Sequence, residues 1–453
     1  MKFFSTEIGK FTVFACKITG KGGTSLPGKL ALKINPKIIN ELIKGIKGDK
    51  IVITGTNGKT TTSGLIASIL KTTGKNVIHN REGANMSSGI ATVLIKNSNI
   101  YGKLKADIGV FEIDEANMPL LLDDIKPNIV VITNFFRDQL DRYGELDTTI
   151  KKVKESLNKL SKDSIVLLNA DEPFTAAIGD DLKLKVMYYG INDHINRGYG
   201  LSPSFEQKYC PSCGDKYIYK EVFYGQLGDY YCPSCGKKRP KLDFSALNID
   251  INEDGISFDL KYKDRLFKIK SHLFGIYNIY NVMAAVTANL LLNTNINDII
   301  NGLDNYKPIA GRLQKTTLNG KKAIINLIKN PIGFDSTLSM LKEIKRPLNL
   351  VIAINDNYAD GRDVSWLWDV NIEDFVVNSK INSVVASGLR AEDMALRLKY
   401  AGIDAKKIEV INSIEKALDY ISSVTKDELI IILPNYTSLH EVNTFLKLRG
   451  DDK

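Results

Sequence analysis

The stretch Ile51-Val52-Ile53-Thr54-Gly55-Thr56-Asn57-Gly58-Lys59-Thr60-Thr61 decides the fold class. It reads as a short β-branched strand, a Gly-rich turn and the start of a helix that the spacing continues over Thr61 to Leu70. Such a turn aims backbone N–H groups into one concavity, and the helix N-terminus adds partial positive charge, so the segment suits a chain of phosphates. Gly55 and Gly58 matter because a Cβ would hold the backbone away from the phosphate oxygens. Gly55, Thr56, Asn57, Gly58, Lys59, Thr60 and Thr61 are therefore the expected ATP contacts. Lys59 would reach the terminal phosphates and the Thr60 hydroxyl would ligate Mg²⁺. The strict phosphate-loop pattern has Gly five residues before Gly58, where this chain has Ile53; the GKT core is intact.

Outward from the loop, strand, turn and helix recur. Ile108 to Ile113, Ile129 to Thr133 and Ile165 to Leu168 are brief apolar runs closed by polar or turn residues, as parallel strands covered on both faces are. The texture changes from about Pro203 to Leu242, which is rich in Tyr, Gly, Lys and Cys and shows no helical period. Alternation then returns, with Leu348 to Ile354, Ile381 to Ala386, Ile408 to Ile411 and Leu429 to Leu433 as strands. The expected architecture is α/β: an ATP-binding domain over residues 1–310 with residues 203–242 inserted as a zinc ribbon, then a Rossmann-like α/β domain over 311–453.

The bulk properties agree with a globular protein: 453 residues, 43% hydrophobic and 25% charged. No apolar run approaches the roughly 20 residues of a membrane span, and Phe11 to Cys16 is too short for a secretory signal, so a cytoplasmic location is expected. The lysines are scattered along the chain without forming a block, and the formal charge of +9 does not by itself select nucleic acid, lipid or a polyanionic substrate.

Four of the five cysteines, Cys210, Cys213, Cys232 and Cys235, form two CPSCG knuckles with 18 residues between the pairs. In a cytosolic chain that spacing argues for Zn²⁺ rather than disulfides, and a filled Cys₄ set leaves no open position for catalysis. The zinc is expected to be structural. Cys16 remains, and His79, His194, His272 and His440 show no recognisable pairing with it, so hydrolysis of glutamine by this chain alone is not expected.

TGTNGKTT closely resembles the ATP loop of the Mur ligases and folylpolyglutamate synthases, and further segments follow in that family's order. Glu112, ending GVFEIDE, matches the carboxylate that holds Mg²⁺. Thr133-Asn134 with Asp138-Gln139-Leu140-Asp141 resembles the TN…DHLD segment, and Asn169 to Pro173 the NADDP turn. Gly275 with Asn278 and Asn281 resembles the segment near adenine, and Gly311-Arg312 the hinge pair that meets phosphate. Three features depart: Gln139 replaces a histidine, Asn326 to Pro331 replaces DYAHNP, and only about 50 residues precede the loop.

These departures, the four-cysteine insertion and the segment Asn355 to Trp366 resemble one branch, the MurT-type subunits of lipid II isoglutaminyl synthases. That resemblance implies ATP-dependent amidation of the D-glutamate α-carboxylate of lipid II through an acyl phosphate, at the inner face of the membrane. It implies ammonia from a separate GatD-like glutaminase in a heterodimer, with Asp363 as the catalytic residue completing the partner's Cys-His pair. Two alternatives stay open: another Mur-type amino-acid ligase such as a folylpolyglutamate synthase, and a zinc-ribbon nucleic-acid-binding NTPase. The first reading expects no nucleic acid.

Overall fold

The computed structural model describes residues 1–19, 23–81, 84–136, 146–194, 209–252, 255–308, 311–342 and 344–449. Gln139 and the rest of the segment 137–145 lie outside them. Nine strands form the first sheet: β1 (Lys50–Thr54), β2 (Val77–His79), β3 (Ile108–Glu112), β4 (Ile129–Ile132), β5 (Ile165–Asn169), β6 (Lys185–Ile191) and, after the hairpin β7 (Ile218–Tyr224) and β8 (Leu227–Tyr231), β9 (Phe244–Asn252), β10 (Gly255–Tyr262) and β11 (Arg265–Ser271). Their order is β11-β10-β9-β6-β5-β4-β1-β3-β2. From β2 to the β6–β9 pair neighbours run parallel, and only the β9–β10–β11 edge is antiparallel. That edge was not foreseen, because the alternating pattern of Ile256, Phe258 and Leu260 buries one face only, unlike the continuous apolar runs of the central strands.

β1 shows why the centre is parallel. Ile51 and Ile53 enter one core with the helices Lys59–Thr72 and Ile276–Leu291, while Val52 enters the other with helices Ile38–Ile43 and Ser87–Lys96. All three side chains are fully buried, each worth roughly 1.5–3 kcal/mol of removed apolar surface. A charged residue at Val52 would break this layer.

The second sheet has the order β12-β13-β17-β14-β15-β16, from β12 (Gln314–Leu318), β13 (Lys321–Ile325), β14 (Leu348–Ala353), β15 (Ile381–Ser387), β16 (Ile408–Val410) and β17 (Leu429–Pro434). Only β12 is antiparallel, joined to β13 through Asn319 and Gly320, both at positive φ as a tight hairpin turn requires. The other expected strands lie within a residue or two of where the apolar runs placed them, and the phosphate-loop helix extends from Lys59 to Thr72. Among the described residues no helix is long and apolar enough to cross a membrane.

Candidate functional site

Four adjacent strands, β5, β4, β1 and β3, deliver their carboxyl ends to one edge of the first sheet, where functional loops of open α/β sheets gather. The turn after β1 holds Gly55 at φ +124° and Gly58 at φ +84°. A Cβ on Gly55 would stand 2.3 Å from Thr133 Oγ1, and one on Gly58 would stand 2.2 Å from Asn281 Oδ1, so neither position accepts a side chain. Residues after β4 frame the turn. The Asn57 N–H donates to Asn134 Oδ1 at 2.8 Å, the Asn57 carbonyl accepts from Thr133 Oγ1 at 2.8 Å, and the Thr56 N–H donates to the Asn134 carbonyl at 2.9 Å. The loop is thus shaped by the protein before any ligand arrives.

Lys59 is buried and folds back onto its own loop, donating to the Gly55 and Thr56 carbonyls and to Glu115 Oε2 at 3.1 Å. Burial works against its charge, but Glu115, Glu112 and Asp114 outweigh it and raise the ammonium pKa. Burial likewise opposes the charge of Glu115, and Lys59 reverses that and lowers its pKa. Burial and the neighbouring Glu115 raise Asp114.

Register explains why Glu112 is here: it pairs with Ile53 across the parallel β3–β1 ladder, at the level where the phosphate loop begins. Its Oε1 accepts from Asn85 Nδ2 at 3.1 Å, whereas Oε2 is buried without a hydrogen-bond partner among the described residues. Such an atom is costly unless a cation meets it. With the hydroxyl of Thr60, the second residue of the helix, the donor set is hard oxygen of the kind Mg²⁺ takes, so these residues fit that ion.

The loop opens into a cleft. Asn57, Gly58 and Thr61 line it from the loop, Asn278 and Asn281 from the helix Ile276–Leu291, and Arg312 and Lys329 from the second sheet's side. Asn281 accepts from the Thr62 hydroxyl at 3.3 Å and donates to Asn278 Oδ1 at 2.9 Å, so it also clamps the helix against Gly58. The buried turn Asn169 to Glu172 is a structural brace. Asp171 accepts from the Ile191 N–H at 2.7 Å, from the Tyr280 hydroxyl at 2.9 Å and from Arg239 at 3.0 Å.

The four cysteine sulfurs lie within 4.8 Å of one another, with the nearest pairs at 3.4 and 3.6 Å. A tetrahedron with Zn–S bonds near 2.3 Å has edges of about 3.8 Å, so the set fits Zn²⁺. The hairpin between the knuckles reaches into the cleft. Tyr224 and Leu227 line it, Gln226 Nε2 donates to the Phe135 carbonyl at 3.4 Å, and the Tyr224 hydroxyl donates to the Ile332 carbonyl at 3.5 Å.

Asp363 stands apart from the cleft. It is exposed, on the loop after β14, and its Oδ1 accepts from the Ser365 N–H at 2.8 Å. That loop is tied to the start of helix Tyr436–Arg449, where the Thr437 N–H donates to Asp360 Oδ1 at 2.8 Å and Asn355 and Asn357 both donate to the Thr437 hydroxyl.

Sequence reasoning did not single out Asn85, Glu115, Tyr224 and Leu227, and it noted Lys329 only as standing where the family has a histidine. Glu115 had a visible signal, since it closes the same FEIDE run as Glu112.

Comparison with known proteins gives two family matches: the Mur ligase middle domain over residues 53–211 and the MurT ligase C-terminal domain over 327–439. A curated relative from Staphylococcus aureus (strain COL), named lipid II isoglutaminyl synthase (glutamine-hydrolyzing) subunit MurT, is 37% identical, covering 96% of this chain and 95% of its own. The protein of the same name from Streptococcus pneumoniae R6 is 34% identical over 97% of this chain and 96% of its own. Among solved structures, a pseudomurein peptide ligase type C from Methanothermus fervidus superposes with a TM-score of 0.69 at 24% identity, covering 92% of this chain and 83% of that one. A MurF ligase from Thermotoga maritima, solved with ADP, has a TM-score of 0.64 at 14% identity, covering 93% and 84%. These two show the shared fold.

Proposed function

This chain belongs to the MurT family of Mur ligases, and from that premise we propose that it is the ATP-using ligase subunit that amidates the D-glutamate α-carboxylate of lipid II. The observation that carries the reading is the phosphate loop, which faces Arg312 and Lys329 across one cleft, with Glu112 beside it, whose Oε2 has no hydrogen-bond partner among the described residues. The two domains are taken as residues 1–310 and 311–453, with 203–242 as a zinc-ribbon insertion.

A carboxylate oxygen of the substrate attacks the γ-phosphorus of ATP, the bond to the β–γ bridging oxygen breaks, and ADP leaves. Ammonia then attacks the acyl carbon, phosphate departs, and the nitrogen loses a proton. Neither step needs a covalent bond to the protein; both need alignment and neutralised charge. Lys59 leaves its loop carbonyls for the phosphates, the backbone N–H groups of residues 55–61 hold the triphosphate, and Arg312 supplies charge from the opposite wall. Asn278 and Asn281 position the nucleoside end. Mg²⁺, held by Thr60 and Glu112, would neutralise phosphate charge. Zn²⁺, held by the four cysteines, would brace the hairpin that forms one wall.

Ammonia comes from a glutaminase subunit, in keeping with the glutamine-hydrolyzing name of the relatives. The exposed Asp363 is positioned for a second protein to reach. Mixing the chain with ATP, glutamine, a lipid-linked muropeptide and a GatD-like glutaminase should yield product whose mass has fallen by the change from hydroxyl to amino group. Asp363→Asn should abolish this glutamine-driven product while ATP binding persists. Unchanged product mass with the wild-type chain, or full activity of Asp363→Asn, contradicts the respective assignment.

A further inference from the structure

The first helix, Lys2–Ile18, is built inside out. Its protein-facing residues are small or polar: Ser5, Thr6, Gly9, Thr12 and Cys16 are buried. Its large apolar residues face away: Phe3, Phe4, Phe11, Phe14 and Ile18 are between 53% and 71% exposed. Residues 4, 11, 14 and 18 follow at intervals of seven, three and four, which places them in one stripe.

The inward face holds the helix firmly. A Cβ on Gly9 would stand 2.9 Å from Ile95 Cδ1, and Lys10 donates to the Ser98 carbonyl, so the helix lies close on Ser87–Lys96 and the turn after it. That turn adds Ile100 and Tyr101, 57% and 65% exposed, and Gly102 of the same turn abuts Thr6. The apolar surface is therefore a fixed feature of the fold rather than a frayed end. A packed protein that leaves five large apolar side chains of one helix in water marks a binding surface.

Charge indicates what binds. The first 50 residues contain ten lysines and three acidic residues, so seven of the nine net positive charges of the whole chain belong to this segment. Lys17, Lys29, Lys33 and Lys37 are exposed on the first two helices and the turn after them. Aromatic rings in a helical stripe with lysines around them match an anionic bilayer surface, where rings enter the headgroup boundary and ammonium groups meet lipid phosphates. A second copy of the same face is the poorer match, since stacking would bring like charges together.

We propose that the outward face of the first helix, with Ile100, Tyr101 and the neighbouring lysines, seats this protein in the plane of an anionic membrane. The purpose rests on the function proposed above, because a lipid-linked substrate presents its peptide at that surface. The binding requires neither ATP nor a partner.

The test is sedimentation of the full-length chain with vesicles of phosphatidylglycerol and phosphatidylcholine, against phosphatidylcholine alone. Binding should favour the anionic vesicles by roughly tenfold or more and weaken as salt is added. Phe4→Ser, Phe11→Ser and Phe14→Ser combined should lose binding with an unchanged melting temperature, because the replaced side chains are solvent-exposed. Lys17→Glu, Lys29→Glu and Lys33→Glu combined should lose the preference for anionic lipid. Equal binding by wild type and the serine variant overturns the proposal, as does indifference to lipid charge. A dimer, or a glutaminase complex, that forms through this face while vesicles stay unbound also overturns it. Amidation of the lipid-linked substrate dissolved in detergent, with no bilayer present, separates the two readings: its absence alongside intact vesicle binding contradicts the catalytic assignment alone.

Discussion

The phosphate loop and the Cys₄ hairpin are both ligand cradles, and they are held in opposite ways. The loop is shaped by protein hydrogen bonds, among them those with Thr133, Asn134 and the Phe136 backbone, and Lys59 folds back onto the loop carbonyls and onto Glu115. The hairpin is well packed at its cleft end, where Phe223, Tyr224, Leu227 and Tyr230 are buried and the Tyr230 hydroxyl donates to the Ala170 carbonyl at 3.2 Å. At the knuckle end Cys213 and Cys235 are exposed, and local backbone bonds such as Cys210 N–H to the Asp215 carbonyl at 2.7 Å do not hold four thiolates together against their repulsion. On the proposed reading, nucleotide would meet a site already made and add stability by mass action, whereas zinc would complete the fold around itself.

The largest effect should come from the loop. Lys59→Ala should lower ATP-driven amidation by about 10²–10³-fold, the usual loss when one preorganised charge at a reacting phosphate is removed. ADP release measures it, and a loss under tenfold would assign Lys59 to structure alone. Next is the hairpin: Cys232→Ser should release zinc, seen by metal analysis, and lower the melting temperature by several degrees. Because the far end of the same hairpin lines the cleft, ATP affinity should fall with it; zinc loss at unchanged ATP affinity would separate the two ends. Tyr224→Ala tests that wall directly. It should raise the KM for ATP about three- to tenfold, as expected for one lost aromatic contact, with kcat nearly kept.

The turn after β1 and the place of Glu112 beside it were legible because residue types suited to phosphate and metal stand in a constrained order. Glu115 was quoted in the sequence but not selected, since only the short turn Glu115–Asn117 brings its carboxylate back to Lys59. Tyr224 and Leu227 were hidden for another reason: knuckle spacing points to a metal, but not to where the intervening hairpin folds. The first helix was read as a short apolar stretch, Phe11 to Cys16, because its outward face is the apolar one and inverts the usual amphipathic pattern.

The smallest effect is on pH dependence. His79 ends β2 against the phosphate-loop helix, 3.1 Å from Ser63 Oγ, and burial, then Lys71 and Arg81, pull its pKa down to about 3. A histidine held neutral in the folded state contributes stability above its ordinary pKa near 6.5. That contribution is lost as pH falls toward 3, because the unfolded chain takes up the proton first. The melting temperature of His79→Asn should therefore fall less than that of wild type between pH 7 and about pH 4. Parallel curves would show that the ring is not held neutral.

The central claim is that the loop and Glu112 together grip Mg²⁺ and a triphosphate. Calorimetric titration of a non-hydrolysable ATP analogue, with Mg²⁺ or with chelator, tests it on wild type and on Glu112→Gln. The account predicts binding that Mg²⁺ strengthens in the wild type, and loss of that Mg²⁺ dependence in a variant that remains folded. Equal binding with and without Mg²⁺, or a Glu112→Gln variant identical to wild type, would contradict it.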